Sequence, residues 1–243
     1  MGRQQGFSLP ELAVVLVVIG LISAVVAMSY GSSGRVERLW RGQADAQKVL
    51  SAMVAFARTH DRLPCPDFTG DGRAGGAAGT CPTGLAVGWV PYRTLGLSVP
   101  GSGRAVYGVF RGDTSDSDLT VRAERGQDVV GDQHYDDLND FVRALLLAQG
   151  LPLSTAAIYT TGDGAALGAV DCQKNVVQNW ALIIAEPLGD QNGDGDAFDG
   201  PDTGLPLSGS HCFAAPSEKR DALYSDDVVA MSFNTLAAKM SQN

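Results

Sequence analysis

The sequence predicts an α+β fold, with a long N-terminal α-helix packed on an antiparallel β-sheet head that carries loop-rich inserts. Three observations predict it. An uncharged apolar run from Leu12 to Met28 passes directly into a helical apolar stripe. Short β-type segments then alternate with turns, and most of the 30 glycines fall after residue 60. The organisation read from these features is a membrane-spanning helix at 7–30, its amphipathic continuation at 31–59 and a globular head at 60–243, with 1–6 read as a leader on the resemblance given below. A chain of 243 residues that is 44% hydrophobic suffices for one such domain with an extension. Its formal charge of −9 argues against nucleic acid and against an anionic membrane surface as partners of the head.

The first element is the apolar run, interrupted by Gly20 and Ser23 and by no charge. A helix from Phe7 to Tyr30 would be about 36 Å long, enough to cross a hydrocarbon core of about 30 Å. A cleaved secretory signal is the competing reading, with Val25, Val26 and Ala27 as its cleavage region. That reading needs a basic start, whereas Glu11 beside the apolar run offsets Arg3. A buried helix of a soluble protein would not be so uniformly apolar. Glu11 is the informative residue, because a carboxylate in the bilayer core costs on the order of 2–3 kcal/mol and needs a purpose.

Gly6, Phe7, Ser8, Leu9, Pro10 and Glu11, followed by an apolar helix, resemble the prepilin signature of type IV pilins and type II secretion pseudopilins. The resemblance implies cleavage between Gly6 and Phe7 by a prepilin peptidase, and methylation of the new Phe7 amino terminus. It implies other pilin subunits as partners through the N-terminal helix, together with inner-membrane assembly machinery. The head would lie in the periplasm before assembly, and in a periplasmic or cell-surface filament afterwards. In this family Glu11 would neutralise the Phe7 ammonium of a neighbouring subunit, and an unpaired charge in that apolar setting is costly enough to fix register. Gly20 lowers helix propensity by about 1 kcal/mol relative to Ala, but the mid-helix proline of many major pilins is absent here.

After Gly31, Ser32, Ser33 and Gly34, which could bend or break the helix, the stripe runs through Val36, Leu39, Trp40, Ala46, Val49, Leu50, Met53, Phe56 and Ala57. These positions share one helical face, and Arg35, Glu37, Arg38, Arg41, Asp45 and Lys48 occupy the other. Pro64 and Pro66 end the helix. Arg62 to Asp67, Gly88 to Tyr92 and Leu95 to Leu97 resemble a pattern in large proteobacterial minor pilins. Strands are expected at 105–110, 119–122, 180–185 and 226–231. Helices are expected at 137–149, burying Leu138, Phe141, Val142, Leu145 and Leu146, and at 235–240.

Four cysteines downstream of an export-like segment favour disulfides in an oxidising compartment. Local pairing of Cys65 with Cys81 and of Cys172 with Cys212 is the simplest of three connectivities. Asp190, Asn192, Asp194, Asp196 and Asp199 alternate as in the start of an EF-hand loop, with Gly195 at the sharp turn, which makes calcium the candidate cofactor. Pro201 stands where the closing Glu would be, and a solvated acidic turn is the simpler alternative. Asp67 to Gly72 is a shorter echo of the same pattern. Arg104, Arg111, Arg122 and Arg125 are a candidate local basic patch.

His60, His134 and His211 are scattered, and no Gly-x-Ser-x-Gly, His-Glu-x-x-His or phosphate-loop pattern is present, so no catalytic residue is assigned and an enzyme is not expected. The reading is a structural and assembly subunit, a minor pilin or pseudopilin. The alternative is a membrane-anchored or filament-tip binding protein, an adhesin, with a calcium-stabilised head.

Overall fold

The computed structural model describes residues 9–75, 81–101, 103–126, 137–162, 171–172, 175–190, 193–220 and 224–242, with the backbone alone at 24–41. Contacts divide the chain into two compact units, Met1–Arg41 and Gly42–Asn243.

The first unit contains the start of α1 (Leu9–His60), which opens with Pro10 and Glu11 in its first turn. Proline is tolerated there because its missing N–H would have no helical partner, and the carboxylate complements the helix dipole. The helix runs unbroken through Gly31 to Gly34. Between Leu9 and Ile22 the large apolar side chains are all exposed, from Val15 and Val18 at 48% to Leu9 at 87%. Among the described residues no helix is long and apolar enough to cross a membrane. The span expected from Phe7 to Tyr30 begins outside the described residues and ends where the backbone alone is described.

In the second unit α1 becomes a core element. Ala46, Val49, Met53, Phe56 and Ala57 are buried at three- and four-residue steps. The helix ends where Asp61 turns left-handed at φ 54°, its N–H closing on the carbonyl of Ala57. Four antiparallel strands then form a sheet in the order β1 (Val87–Trp89), β2 (Val106–Val109), β5 (Leu182–Glu186) and β7 (Asp227–Met231). A smaller sheet has β3 (Tyr159–Thr160) between β4 (Gln178–Asn179), antiparallel to it, and β6 (Cys212–Phe213), parallel to it.

Alternation along the larger sheet explains the architecture. Tyr107, Val109, Leu182, Ile184 and Met231 face a core built with α1, α2 (Leu138–Gln149) and α3 (Phe233–Met240). Val106, Ile183, Ala185 and Val228 face a second core with Ile158, Phe198 and Phe213. Both faces are covered, so β5 reads as a continuous apolar run. Gly108 lies on the second face, where a β-carbon would stand 3.0 Å from the Phe213 ring and 3.1 Å from Ile158.

Both short helices are capped as their sequences allow. Asp137 and Asp140 form a reciprocal capping box on α2, and the Ser232 hydroxyl accepts from the Thr235 N–H on α3. Two expectations fail. Residues 119–122 form no strand: the Asp118 carboxylate accepts from the Thr120 N–H and hydroxyl, while Arg125 donates to the carbonyls of Ser115, Asp118 and Val121. These carbonyls are satisfied by a guanidinium, with no neighbouring strand. In α2, Leu146 is 54% exposed, and Ala144 and Ala148 take the buried positions beside Phe141 and Leu145.

Candidate functional site

Two regions carry the chemistry expected from the sequence. The first is the beginning of α1. Its apolar side chains are exposed on every face, and helices that are apolar all round are stable only in lipid or against other apolar surface. Glu11 is the acidic residue of the first turn. Gly6 and Phe7 lie outside the described residues.

The second is the acidic loop of the head, which includes a 3-10 turn at Gly200–Asp202. The Asp190 carboxylate accepts from the N–H groups of Gly193 at 2.6 Å and Gly195 at 2.9 Å. Asp194 accepts from the Asp196 N–H, and Asp196 accepts from Phe198 and, at 2.6 Å, from Gly204. Asp199 is fully buried and accepts from the Ser225 hydroxyl at 3.4 Å. The calcium pattern therefore folds as nested turns whose carboxylates hold their own backbone. Asn192 lies outside the described residues. Among the described residues no three acidic, histidine or cysteine side chains come together to hold a metal ion.

The two disulfides join Cys65 to Cys81 and Cys172 to Cys212, leaving no free cysteine. The expected basic patch does not form. Arg104 donates to the Gly70 carbonyl, Arg111 pairs with Asp118 at 2.9 Å, Arg122 pairs with Asp61 at 3.4 Å, and Arg125 is buried among carbonyls. His60 stacks on Phe56, its ring centroid 4.0 Å away, and His134 lies outside the described residues. An open cleft of about 780 Å³ lies between the acidic loop and β1, lined by Trp89, Arg104, Asp196, Phe198 and Leu207.

Residues 1–27 match the family model of the prokaryotic N-terminal methylation motif. The chain carries that motif at its start. Its exposed apolar helix start and Glu11 fall inside the matched segment. No curated protein and no solved structure matches the chain.

The head also holds a group of buried acids that the sequence did not single out. Asp202 accepts from the Ala214 N–H at 2.9 Å, and the Tyr224 hydroxyl approaches it at 3.5 Å. Burial pushes its carboxyl up to about 7, against the pull of those two hydrogen bonds. Asp226 is pushed to about 8 by burial and by Asp202, although the Asp199 N–H stabilises its charged form. Glu186 is raised to about 8 by burial and by Asp45 and Asp227. Asp226 and Asp227 are adjacent in the sequence and β7 was expected there, but nothing in the pattern reveals that their side chains are enclosed. That follows from the loop folding over the end of the sheet.

Proposed function

We propose that the chain is a filament subunit of the type IV pilin and pseudopilin class. A prepilin peptidase cuts between Gly6 and Phe7, the Phe7 amine is methylated, and the apolar half of α1 holds the subunit in the inner membrane until assembly. The observation that carries this is the methylation motif at 1–27, coinciding with a helix whose apolar side chains are exposed on all faces. Such a surface is transferred from lipid to the α1 segments of neighbouring subunits without ever meeting water. In that environment Glu11 and the Phe7 ammonium of the next subunit neutralise each other, and a misplaced subunit leaves two desolvated charges.

Mass spectrometry of the mature protein from host membranes tests this. The expected amino terminus is N-methylated Phe7, and a start near Met28 would end the filament reading in favour of an ordinary secreted protein. Glu11→Ala is expected to abolish incorporation into filaments while leaving the head folded. A large head favours a minor or tip-proximal position. The open cleft beside Trp89 favours, as a second reading, ligand binding by a tip-displayed head. Retained ligand binding by a Glu11→Ala variant that no longer enters filaments would favour an autonomous anchored binder.

A further inference from the structure

Three parts of the head meet at the open cleft of about 780 Å³. Phe198 of the second core lines it, and Trp89 packs on that core from the end of β1. Gly70 belongs to the loop whose N–H groups the Asp67 carboxylate holds. Asp196 contributes a carboxylate from the acidic loop, itself fixed by the N–H groups of Phe198 and Gly204. The lining is therefore ordered by its own hydrogen bonds before any ligand arrives.

Two hydrogen-bond donors converge on Gly70. A β-carbon there would stand 2.9 Å from Arg104 Nη1 and 3.9 Å from Trp89 Nε1, and glycine leaves that space open. The Trp89 indole N–H makes no hydrogen bond among the described residues. In the head's other tryptophan, Trp180, the same group donates to the Thr160 hydroxyl at 3.0 Å. Arg104 donates to the Gly70 carbonyl and makes no ion pair among the described residues, so most of its N–H donors are uncommitted. Each Asp196 oxygen keeps a further lone pair for accepting. Uncommitted donors, spare acceptors and an aromatic ring thus surround one open volume.

That lining narrows the ligand. Among the described residues one cation, Arg104, and one anion, Asp196, line the cleft, so it has no net charge to select a phosphate or a polyanion. An extended peptide would seek a free strand edge. Trp89 exchanges both backbone hydrogen bonds with Asp67, which closes the edge of β1 at this point. A pyranose ring meets every demand, because its C–H face is apolar enough to pack on indole and its hydroxyls both donate and accept. The volume also lies in the range of small-molecule sites, about 300–1,000 Å³. We propose that the cleft binds a neutral saccharide, with the Trp89 indole packed on a pyranose face and Arg104 and Asp196 hydrogen-bonded to its hydroxyls. This names the ligand class for the head-binding reading given above, on which it rests.

The test is saturation-transfer NMR on the full chain, held in a detergent without a sugar headgroup. The probes are maltotriose, N,N′-diacetylchitobiose and N-acetyllactosamine, with a pool of octapeptides run in parallel. Transfer to the ring C–H protons of at least one saccharide is expected, with affinity falling roughly tenfold or more in Trp89→Ala, as for truncation of an aromatic anchor. Should that variant fail to fold, Trp89→Phe and Arg104→Gln supply the answer, since each removes donors and keeps the bulk of the side chain. Each should weaken the same saccharide by roughly threefold or more with the head still folded. No transfer to any saccharide, or transfer that these variants leave unchanged, overturns the proposal. Binding of peptides instead, lost in the same variants, would remove the saccharide and leave the ligand-binding reading standing. A folded wild-type chain that binds neither class would remove both.

Discussion

Asp67 shows how a single carboxylate can organise a loop. It is buried, and it accepts from the Thr69 N–H and hydroxyl at 3.0 Å, from the Gly70 N–H at 2.8 Å and from the Gly72 N–H at 2.7 Å. Asp67→Ala is expected to destabilise the chain by about 2–3 kcal/mol, since it strands several donors at once, and a urea titration would measure this. Asp67→Asn should recover only part of the loss. Gly108 makes the opposite demand, for empty space. Gly108→Ala should cost about 1–3 kcal/mol because its methyl would press on Phe213 and Ile158. Wild-type stability in that variant would show that the second core has slack.

At the scale of elements, legibility followed periodicity. The stripe on α1 placed Val49, Met53 and Ala57 in the core, and β2, β5 and β7 were visible as apolar runs because the sheet is covered on both faces. The strands of the smaller sheet are two residues each, too short for any period to register. The 119–122 segment has strand-like composition, but its Leu119 carbonyl accepts from the Leu63 N–H and its Val121 carbonyl from Arg125, and no strand forms there. The acidic loop is ambiguous for a related reason, since alternating aspartates serve nested turns as well as they serve a metal. Chelation with EDTA is therefore expected to leave the melting temperature of the head unchanged, and a clear fall would restore a metal to the loop. Met53→Ala, at the centre of α1's buried face, should cost about 2–5 kcal/mol.

For the whole molecule, the buried acids and the disulfides set how stability responds to its surroundings. Asp202, Asp226 and Glu186 titrate near 7 to 8 when folded, above the ordinary carboxylate range. Between about pH 4 and 8 the folded chain therefore binds more protons than the unfolded chain, and stability falls as pH rises through that window. The head should melt at a higher temperature at pH 5 than at pH 8, and the opposite order would show that these carboxyls are ionised in the fold. The two disulfides close loops with separations of 16 and 40 residues. In the chain-entropy model they contribute about 3 and about 4 kcal/mol, so reduction should lower the melting temperature well beyond the effect of any single core substitution.

One contact joins distant parts of the head. Arg58, in the last turn of α1, donates to the carbonyls of Lys239 and Gln242, and α3 covers the core that Val49, Met53 and Ala57 began. The helix is made early, but the core it begins is completed only by Phe233, Leu236 and Met240 at the far end of the chain. A nascent chain thus carries its own marker of incompleteness, an apolar surface still awaiting its last cover. A copy cut short before Phe233 would leave open the part of that core which Phe233, Leu236 and Met240 fill.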